Sequence, residues 1–359
     1  LGVVHDRVTI ELMRGCSRGC RFCQAGFVYR PVRERSVEKL VSQAKNSIEN
    51  TGHEEVSLCS LSTGDYTDVA QLVGGLSSEL TKSGVSLAVP SLRVDSFSGE
   101  YAEQLSAVRN KNLTFAPEAG TQRMRDIINK NITDEDIYEA ARQAFASGVN
   151  GVKLYFMIGL PEETDEDILG IVSTVAQIRK LFYEVPKEKR KGGLRLTVSV
   201  ACFVPKPHTP FQWAAQDSVE TFEVKQQALR DGFRTVKGVR FNWHDAKTSI
   251  LEAVFARGDR QLGAVLETAY KKGCRFDSWK ELFSFSKWSE AFEENGVDTA
   301  FYAQRERELS ETLPWETISS GVTKQLLADE YEQAKDMATT PDCREICTSC
   351  GLRKAGLCV

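Results

Sequence analysis

The alternation of short apolar segments with amphipathic helical segments constrains the fold more than any other feature of this sequence. It continues to about Phe211. The six predicted strands are Val8–Met13, Glu55–Leu61, Ser86–Leu92, Leu113–Ala116, Val152–Ile158 and Arg195–Val204. Strands that are each separated by a helix form a parallel sheet. Right-handed crossovers place their carboxyl ends on one face, where sites form in such barrels. We therefore predict an α/β fold built on a partial (β/α)6 TIM-like barrel.

The connecting segments carry helix signals. The predicted helices include Ser36–Asn50, Asp68–Lys82, Ser98–Arg109, Thr133–Ser147 and Asp165–Phe182. Ser36 and Thr133 are expected N-caps, because each is followed by acidic residues in the first helical turn.

The strand–helix alternation is predicted to stop after the sixth strand. Residues 214–340 are rich in Trp, Phe and charged residues and are expected to form helices and loops. We therefore divide the chain into a barrel (1–213), a helical C-terminal extension (214–340) and a Cys-rich tail (341–359). The sequence begins at Leu1 rather than at a methionine, so we expect an upstream part.

The composition excludes several classes of protein. Of the 359 residues, 41% are hydrophobic and 27% are charged, which is typical of a globular chain rather than a disordered one. No apolar run approaches the ~18 residues of a membrane span. The net charge of -4 gives no overall attraction to nucleic acids or anionic membranes.

The cysteines fall into two groups. Seven of the ten are clustered, at Cys16, Cys20, Cys23, Cys343, Cys347, Cys350 and Cys358. Clustering in a chain of this size favours metal binding in a reducing compartment over disulfides, so we expect a cytoplasmic protein. The remaining thiols, Cys59, Cys202 and Cys274, lie in apolar surroundings and are expected to be buried.

The first group has the spacing C-x3-C-x2-C and directly follows the first strand, at the carboxyl face of the predicted barrel. Three thiolates suit an iron–sulfur cluster with one open position. The alternative is a zinc knuckle that takes its fourth ligand from elsewhere.

The tail repeats the C-x3-C-x2-C spacing at Cys343, Cys347 and Cys350 and then adds Cys358. Four thiols can complete the ligand set of a second iron–sulfur cluster or of a tetrahedral zinc ion, and ligand softness does not choose between them. Seven residues separate Cys350 from Cys358, a wider spacing than those between the other three tail cysteines.

The first cysteine group, with Phe22 just before its last member, resembles the signature of the radical S-adenosylmethionine superfamily. Longer stretches such as "TFAPEAGTQRMRDIINK" and "FVPKPHTPFQWAAQ" resemble one branch whose members carry a cobalamin-binding-type domain ahead of the barrel. We expect that domain to lie outside residues 1–359. The chain also lacks an Asp-x-His-x-x-Gly pattern, so no cobalamin is assigned to it.

The resemblance implies a [4Fe-4S] cluster held by Cys16, Cys20 and Cys23. The iron without a protein ligand would bind the amino and carboxylate groups of S-adenosylmethionine. One electron would then release a 5′-deoxyadenosyl radical that abstracts hydrogen from a substrate.

The resemblance also implies a set of residues around S-adenosylmethionine, in addition to Phe22. Ser62, Thr63 and Gly64 stand where the family meets the methionine amino group. Glu118 stands at the ribose hydroxyls, Arg123 or Arg125 at the methionine carboxylate, and Ile158, Gly159 and Leu160 beside the adenine.

Members of this kind resemble methylating and methylthiolating enzymes, so modification of RNA or protein by a radical enzyme is the favoured interpretation. A radical enzyme acting on a small metabolite and a non-catalytic metal-binding module are the alternatives. The resemblance further implies a reductant such as flavodoxin or ferredoxin, and no membrane. We interpret the arginines of Arg14–Arg35 mainly as solvating and neutralising groups, with a basic rim for a phosphate-bearing substrate as the alternative. In the last loop, Lys206, His208 and Gln212 could contact substrate.

Overall fold

Parallel strands form the framework of the molecule. The computed structural model describes residues 6–89, 93–95, 112–190 and 192–358. The strands in these ranges are β1 (Val8–Glu11), β2 (Met13–Arg14), β3 (Arg33–Glu34), β4 (Glu55–Cys59), β5 (Ser86–Ala88), β6 (Asn112–Glu118), β7 (Gly151–Ile158), β8 (Arg195–Cys202) and β9 (Val239–Trp243). Within the described ranges, seven of them form two parallel sheets, β1-β4-β5 and β6-β7-β8-β9, while β2 and β3 form a short antiparallel pair. The predicted α/β class is confirmed.

The six predicted strands correspond to β1, β4, β5, β6, β7 and β8. Part of Ser86–Leu92 and the whole predicted helix Ser98–Arg109 lie outside the described residues. The prediction that residues 214–340 hold only helices and loops is wrong at β9, which pairs in parallel with β8. β9 was missed because Val239–Trp243 is short and carries polar residues on one face. The proposed domain boundaries stay a prediction.

Helices connect the strands and form the C-terminal region. In the described ranges they are Gln24–Val28, Val37–Thr51, Val69–Lys82, Gln122–Ile127, Asp134–Ala146, Asp165–Glu184, Val219–Phe233, Ala246–Arg257, Leu262–Lys271, Phe285–Glu294, Thr299–Ala303 and Lys324–Lys335. Both predicted N-caps are confirmed: Ser36 accepts from the Lys39 N–H, and Thr133 forms a capping box with Asp136. None of these described helices combines the length and apolar composition that a bilayer crossing requires.

Two apolar clusters hold the molecule together. The larger one lies between the sheets and their helices, and its β7 members are Val152, Leu154, Phe156 and Ile158. The second includes Phe27, Met124, Trp213 and Tyr331. In it, the C-terminal helix Lys324–Lys335 packs on the barrel, where the rings of Trp213 and Tyr331 are 6.0 Å apart. This second cluster supports the elements that carry the first cysteine group.

Candidate functional site

The first cysteine loop leaves the sheet through a sharply constrained turn. The Leu12 N–H donates to the Cys59 carbonyl at 3.0 Å, so β1 and β4 stay paired up to the turn. Gly15 then adopts a φ of +92°, and a Cβ at this position would lie 2.6 Å from the Pro31 carbonyl oxygen. Only glycine fits such a position without displacing the backbone.

A buried arginine ties the loop to the helices below it. The Arg21 side chain is fully buried, and its Nε donates to Glu330 at 3.0 Å. Its terminal nitrogens donate to the carbonyls of Ile127 at 2.9 Å and Ala338 at 2.7 Å. Asn129 adds a bond from its amide nitrogen to the Gly19 carbonyl at 3.2 Å. The loop is therefore held by two separate parts of the chain, residues 127–129 and residues 330–338.

The three thiols of this loop lie close enough to affect one another. The Cys23 N–H donates to the Cys20 carbonyl at 3.0 Å, which closes the turn between them. Burial raises the pKa of the Cys23 thiol to about 11, and the Cys20 and Cys16 thiols act in the same direction. Burial also raises the pKa of Cys16. Thiolates in such a place need a compensating cation, and a set of three soft donors on one loop fits an iron–sulfur cluster.

Two cations that the sequence did not reveal lie beside these thiols. Lys130 acts to lower the pKa of Cys23, and Arg93 acts to lower that of Cys16. The Lys130 ammonium also lies 3.1 Å from Oε1 of Glu118. Lys130 reaches this point because the chain turns back after Gln122–Ile127, with Asn129 at a φ of +52°. No local sequence motif predicts that turn, so the position of Lys130 beside Glu118 and the thiols could not be predicted from the sequence.

Glu118 ends β6 at the carboxyl edge of the sheet, as the sequence predicted. Its backbone adopts a φ of +69°, a left-handed value that is costly for a residue with a Cβ. Oε1 accepts from Lys130, and Oε2 accepts no hydrogen bond from any described residue. One carboxylate oxygen therefore remains available, and the role at the ribose stays a prediction.

The segment predicted to meet the methionine amino group forms a tight turn, Thr63–Asp65, after β4. Ser62 is buried beside Asp65, but its hydroxyl makes no hydrogen bond of normal geometry with the described residues. Asp65 accepts from the Nε of Arg18 at 3.0 Å, which joins this turn to the cysteine loop. The binding roles of Ser62, Thr63 and Gly64 stay predictions.

The two arginines proposed for the methionine carboxylate are both engaged. Arg125 is fully buried and donates to the Ala119 carbonyl at 3.2 Å. Arg123 is partly exposed, donates to the Glu162 carbonyl at 2.7 Å and pairs with Asp167. Of the two, only Arg123 is exposed enough to reach a ligand without unpacking the helix.

The predicted adenine segment is fixed at the end of β7. Ile158 and Leu160 are buried, and Gly159 turns with a φ of +79°. The Gly159 N–H donates to the Glu163 carboxylate at 2.6 Å, and that carboxylate also accepts from Lys225 at 2.8 Å. Burial raises the pKa of Glu163 to about 7, against the pull of Lys225. The contact with adenine stays a prediction.

The cysteine tail docks directly on the first cysteine loop. The Cys343 N–H donates to the Ser17 carbonyl at 3.1 Å, and the Ser17 hydroxyl donates to Asp342 at 2.7 Å. Arg344 donates to the Asp65 carbonyl at 2.8 Å. The tail therefore contacts both the loop of the first cysteine group and the turn after β4.

The four tail thiols are not equivalent. Burial raises the pKa of Cys343, and Cys350 and Cys358 contribute in the same direction, whereas Cys347 is exposed. In the described part of the chain, no group of three or more His, Cys, Asp or Glu side chains is arranged to hold a single metal ion. The choice between zinc and a second cluster is therefore not made by this geometry.

Most arginines of the opening stretch are already neutralised or packed. Arg14 pairs with Glu11, Arg18 with Asp65, and the guanidinium of Arg30 lies over the Phe27 ring at 4.7 Å. This supports the interpretation of these arginines as neutralising groups rather than as an open basic rim.

In the loop that follows β8, two of the residues proposed to contact substrate are bonded within the protein. Gln212 is buried and accepts from the Trp315 indole at 2.8 Å, while Lys206 pairs with Glu252.

The burial of the three scattered cysteines agrees only in part with the prediction. Of the three scattered cysteines, Cys202 and Cys274 are buried as predicted. The prediction is wrong for Cys59, the last residue of β4, which is exposed.

Residues 10–175 match the family model described as the radical SAM superfamily. They include the first cysteine loop, Glu118 and the end of β7. Residues 10–175 therefore form a radical SAM domain.

Relatives with assigned names extend the similarity. The chain is 33% identical over 298 residues to the protein MJ0966 of Methanocaldococcus jannaschii, covering 82% of this chain and 62% of the relative. It is 26% identical over 207 residues to a tRNA-2-methylthio-N(6)-dimethylallyladenosine synthase of Prosthecochloris aestuarii, covering 54% of this chain and 46% of the relative. The chain thus spans less than two thirds of either relative. A solved structure of TsrM from Kitasatospora setae, a radical S-adenosylmethionine methyltransferase with cobalamin and a [4Fe-4S] cluster bound, aligns with a TM-score of 0.47 at 15% identity, over 60% of this chain and 39% of that one.

Proposed function

We propose that this chain binds a [4Fe-4S] cluster through Cys16, Cys20 and Cys23 and acts as a radical S-adenosylmethionine enzyme of the methyl- or methylthio-transferring type. The observation that carries the proposal is the set of three mutually interacting thiols on one braced loop at the carboxyl edge of the sheet. When bound and reduced, the cluster supplies the electron that cleaves S-adenosylmethionine, so that hydrogen abstraction from a substrate yields 5′-deoxyadenosine.

The residues around the thiols would prepare the site for an anionic cluster. Lys130 and Arg93 add positive charge beside the thiols, and this favours their deprotonated, metal-binding form. Arg21, through its buried bonds, keeps the loop from adapting to other ligand geometries.

The residues at the strand ends would bind S-adenosylmethionine. Oε2 of Glu118 would accept from a ribose hydroxyl while Lys130 holds Oε1. The buried Ser62 hydroxyl would meet the methionine amino group. Gly159, held by Glu163, would place the backbone beside the adenine.

The substrate is proposed to be RNA, with a reductant such as flavodoxin or ferredoxin as the electron donor. Relatives named as tRNA methylthio-transferring enzymes support this proposal. Phosphate contacts make nucleic-acid binding strongly salt-dependent. Binding to RNA that is unaffected by salt between ~50 and ~200 mM would favour a small-metabolite substrate instead.

The tail is proposed to bind a second metal centre, zinc or iron–sulfur, through Cys343, Cys350 and Cys358, with Cys347 as the remaining candidate ligand. The docking of Cys343 on Ser17 supports a centre next to the first one. Metal and sulfide analysis of anaerobically purified chain decides its identity.

The test of the main proposal is release of 5′-deoxyadenosine by the reconstituted, reduced chain given S-adenosylmethionine. We expect release that depends on Cys16, Cys20 and Cys23. Absence of release from protein with a full, reduced cluster would contradict the proposal for this chain, and zinc at both cysteine groups with no iron would favour a non-catalytic metal-binding module.

A further inference from the structure

One face of the larger sheet is polar and accessible, although parallel sheets are usually covered by apolar residues on both faces. The helix side of β7 and β8 is apolar and buried, for example at Leu154 and Val198. The opposite face alternates with it and is half-buried or exposed from Thr114 and Lys153 across to Arg240 and onward to Tyr155, Ser199 and Asn242. Such a surface, next to the site but not covered by the sheet's own helices, is available to a ligand.

The strand register arranges the polar side chains of this face in rows. Thr114, Lys153, Thr197 and Arg240 are cross-strand neighbours in one row, and Tyr155, Ser199 and Asn242 form the next row toward the carboxyl ends. Because successive rows on one face are two residues apart, they are separated by about 6.6 Å along the strands.

The charge on this face has a single sign over most of its length. Lys153 and Arg240 make no ion pair with any described residue, and Lys153 donates to the Tyr155 hydroxyl at 2.6 Å. Arg195, at the start of β8, lies on the same face and donates to Asn150 at 3.2 Å. The face positions of β7, β8 and β9 carry no acidic residue. This contrasts with Arg14, Arg18 and Arg21 of the first cysteine segment, which are ion-paired.

The face leads to the cysteine loop. Met157, two residues beyond Tyr155 on the same face, packs against the second apolar cluster, and so does Phe22 of the cysteine loop. The row of Lys153 therefore lies roughly 13 Å from the row of Met157, at ~3.3 Å per residue along the strand. A nucleotide-sized group could span this distance.

We propose that this face binds the phosphate of the substrate, with Lys153 and Arg240 on either side of the Thr197 hydroxyl and Tyr155, Ser199 and Asn242 contacting the remainder. The proposal rests on the proposed function, because it takes the cysteine end of the face as the reacting end. Ammonium, guanidinium and hydroxyl donors together are typical of phosphate recognition.

The first experiment measures binding of inorganic pyrophosphate to the full, cluster-reconstituted chain by calorimetry at low salt, without S-adenosylmethionine. We expect the double variant Lys153→Gln and Arg240→Gln to bind at least tenfold more weakly than the unaltered chain. The matched control, Lys187→Gln with Lys189→Gln, removes the same charge from an exposed turn and is expected to change affinity less than twofold. An equal loss in both double variants, or no binding by the unaltered chain, would overturn the proposal.

A second pair of variants separates charge from folding. Lys153→Arg with Arg240→Lys keeps both cations and is expected to retain binding within about threefold. If this variant loses binding as completely as the neutral one while its thermal unfolding is unchanged, phosphate recognition by these cations is excluded.

Two further titrations identify the source of the phosphate. Adenosine monophosphate and a short single-stranded oligoribonucleotide are each titrated into the same protein. If the oligoribonucleotide binds more tightly than adenosine monophosphate, the phosphate belongs to RNA. If the two bind equally, it belongs to a small phosphorylated substrate. In either case the neutral double variant of Lys153 and Arg240 must weaken the binding. Because these measurements need no turnover, their failure is distinct from failure of S-adenosylmethionine cleavage.

Discussion

Two segments of this chain share the spacing C-x3-C-x2-C, but they are held in place by different contacts. The loop of Cys16, Cys20 and Cys23 leaves a sheet through Gly15 and is braced by the fully buried Arg21. The tail of Cys343, Cys347 and Cys350 is held mainly through bonds to Ser17 and Thr323. The same cysteine spacing therefore supplies donors in both places, but only the first set is positioned by the fold itself. The tail depends on the loop for its place.

The largest expected difference between the two segments is catalytic. Cys20→Ala should reduce 5′-deoxyadenosine release more than a hundredfold, because it removes a cluster ligand from a surface loop without disturbing the core. Cys350→Ala should lower the metal content but keep at least a tenth of the release. The product is quantified by chromatography, with Cys274→Ala as the buried-thiol control. Equal loss at Cys20 and Cys350 would mean that the two centres act as one.

The second difference concerns stability. Glu330→Gln should lower the free energy of unfolding by about 3 kcal/mol, since removing one partner of a buried ion pair leaves Arg21 uncompensated. Urea unfolding measures the change. The control, Glu135→Gln, breaks an exposed pair with Arg142 and should cost less than about 1 kcal/mol. A small effect of Glu330→Gln would show that the loop is not braced through this pair.

The third prediction tests the ligand site beside the first loop. Glu118→Gln should weaken S-adenosylmethionine binding about tenfold, because one charge-assisted hydrogen bond is replaced by a weaker one. Equilibrium binding to the reconstituted protein provides the measurement, with Glu188→Gln on an exposed turn as the control. Unchanged affinity would remove Glu118 from the site.

The smallest expected effect is on tail docking. Burial acts to raise the pKa of Asp342, but hydrogen bonds from Arg344 and Ser17 outweigh it and hold this pKa below its usual range. The carboxylate therefore stabilises the docked tail fully above about pH 4, and this contribution is lost as the pH falls through the folded-state pKa.

Asp342→Asn should accordingly increase proteolysis of the tail several-fold at neutral pH. The measurement is the rate at which an added protease cleaves the chain within the residues that follow Cys343. Asp336→Asn, at the end of the preceding helix, serves as the control. If both variants are cleaved at the same rate as the unaltered chain, Asp342 does not hold the tail.

The sequence by itself determined the features that depend on local spacing. The alternation of short apolar segments with amphipathic helical segments located six strands, and acidic residues in the first helical turn located the N-caps Ser36 and Thr133. The cysteine spacing and Phe22 identified the class of domain, since ligands on one short loop are neighbours in any fold.

Only the tertiary structure decided the features that join distant segments. β9 is a strand because β8 offers it a parallel partner, and its own residues signal this weakly. Lys130 meets Glu118 after a left-handed turn at Asn129, and the tail reaches Ser17 across more than 300 residues. Cys59 is exposed at the end of β4, although Ser57, two residues earlier on the same strand, is buried. Such placements depend on packing between elements, and no local pattern in the sequence records them.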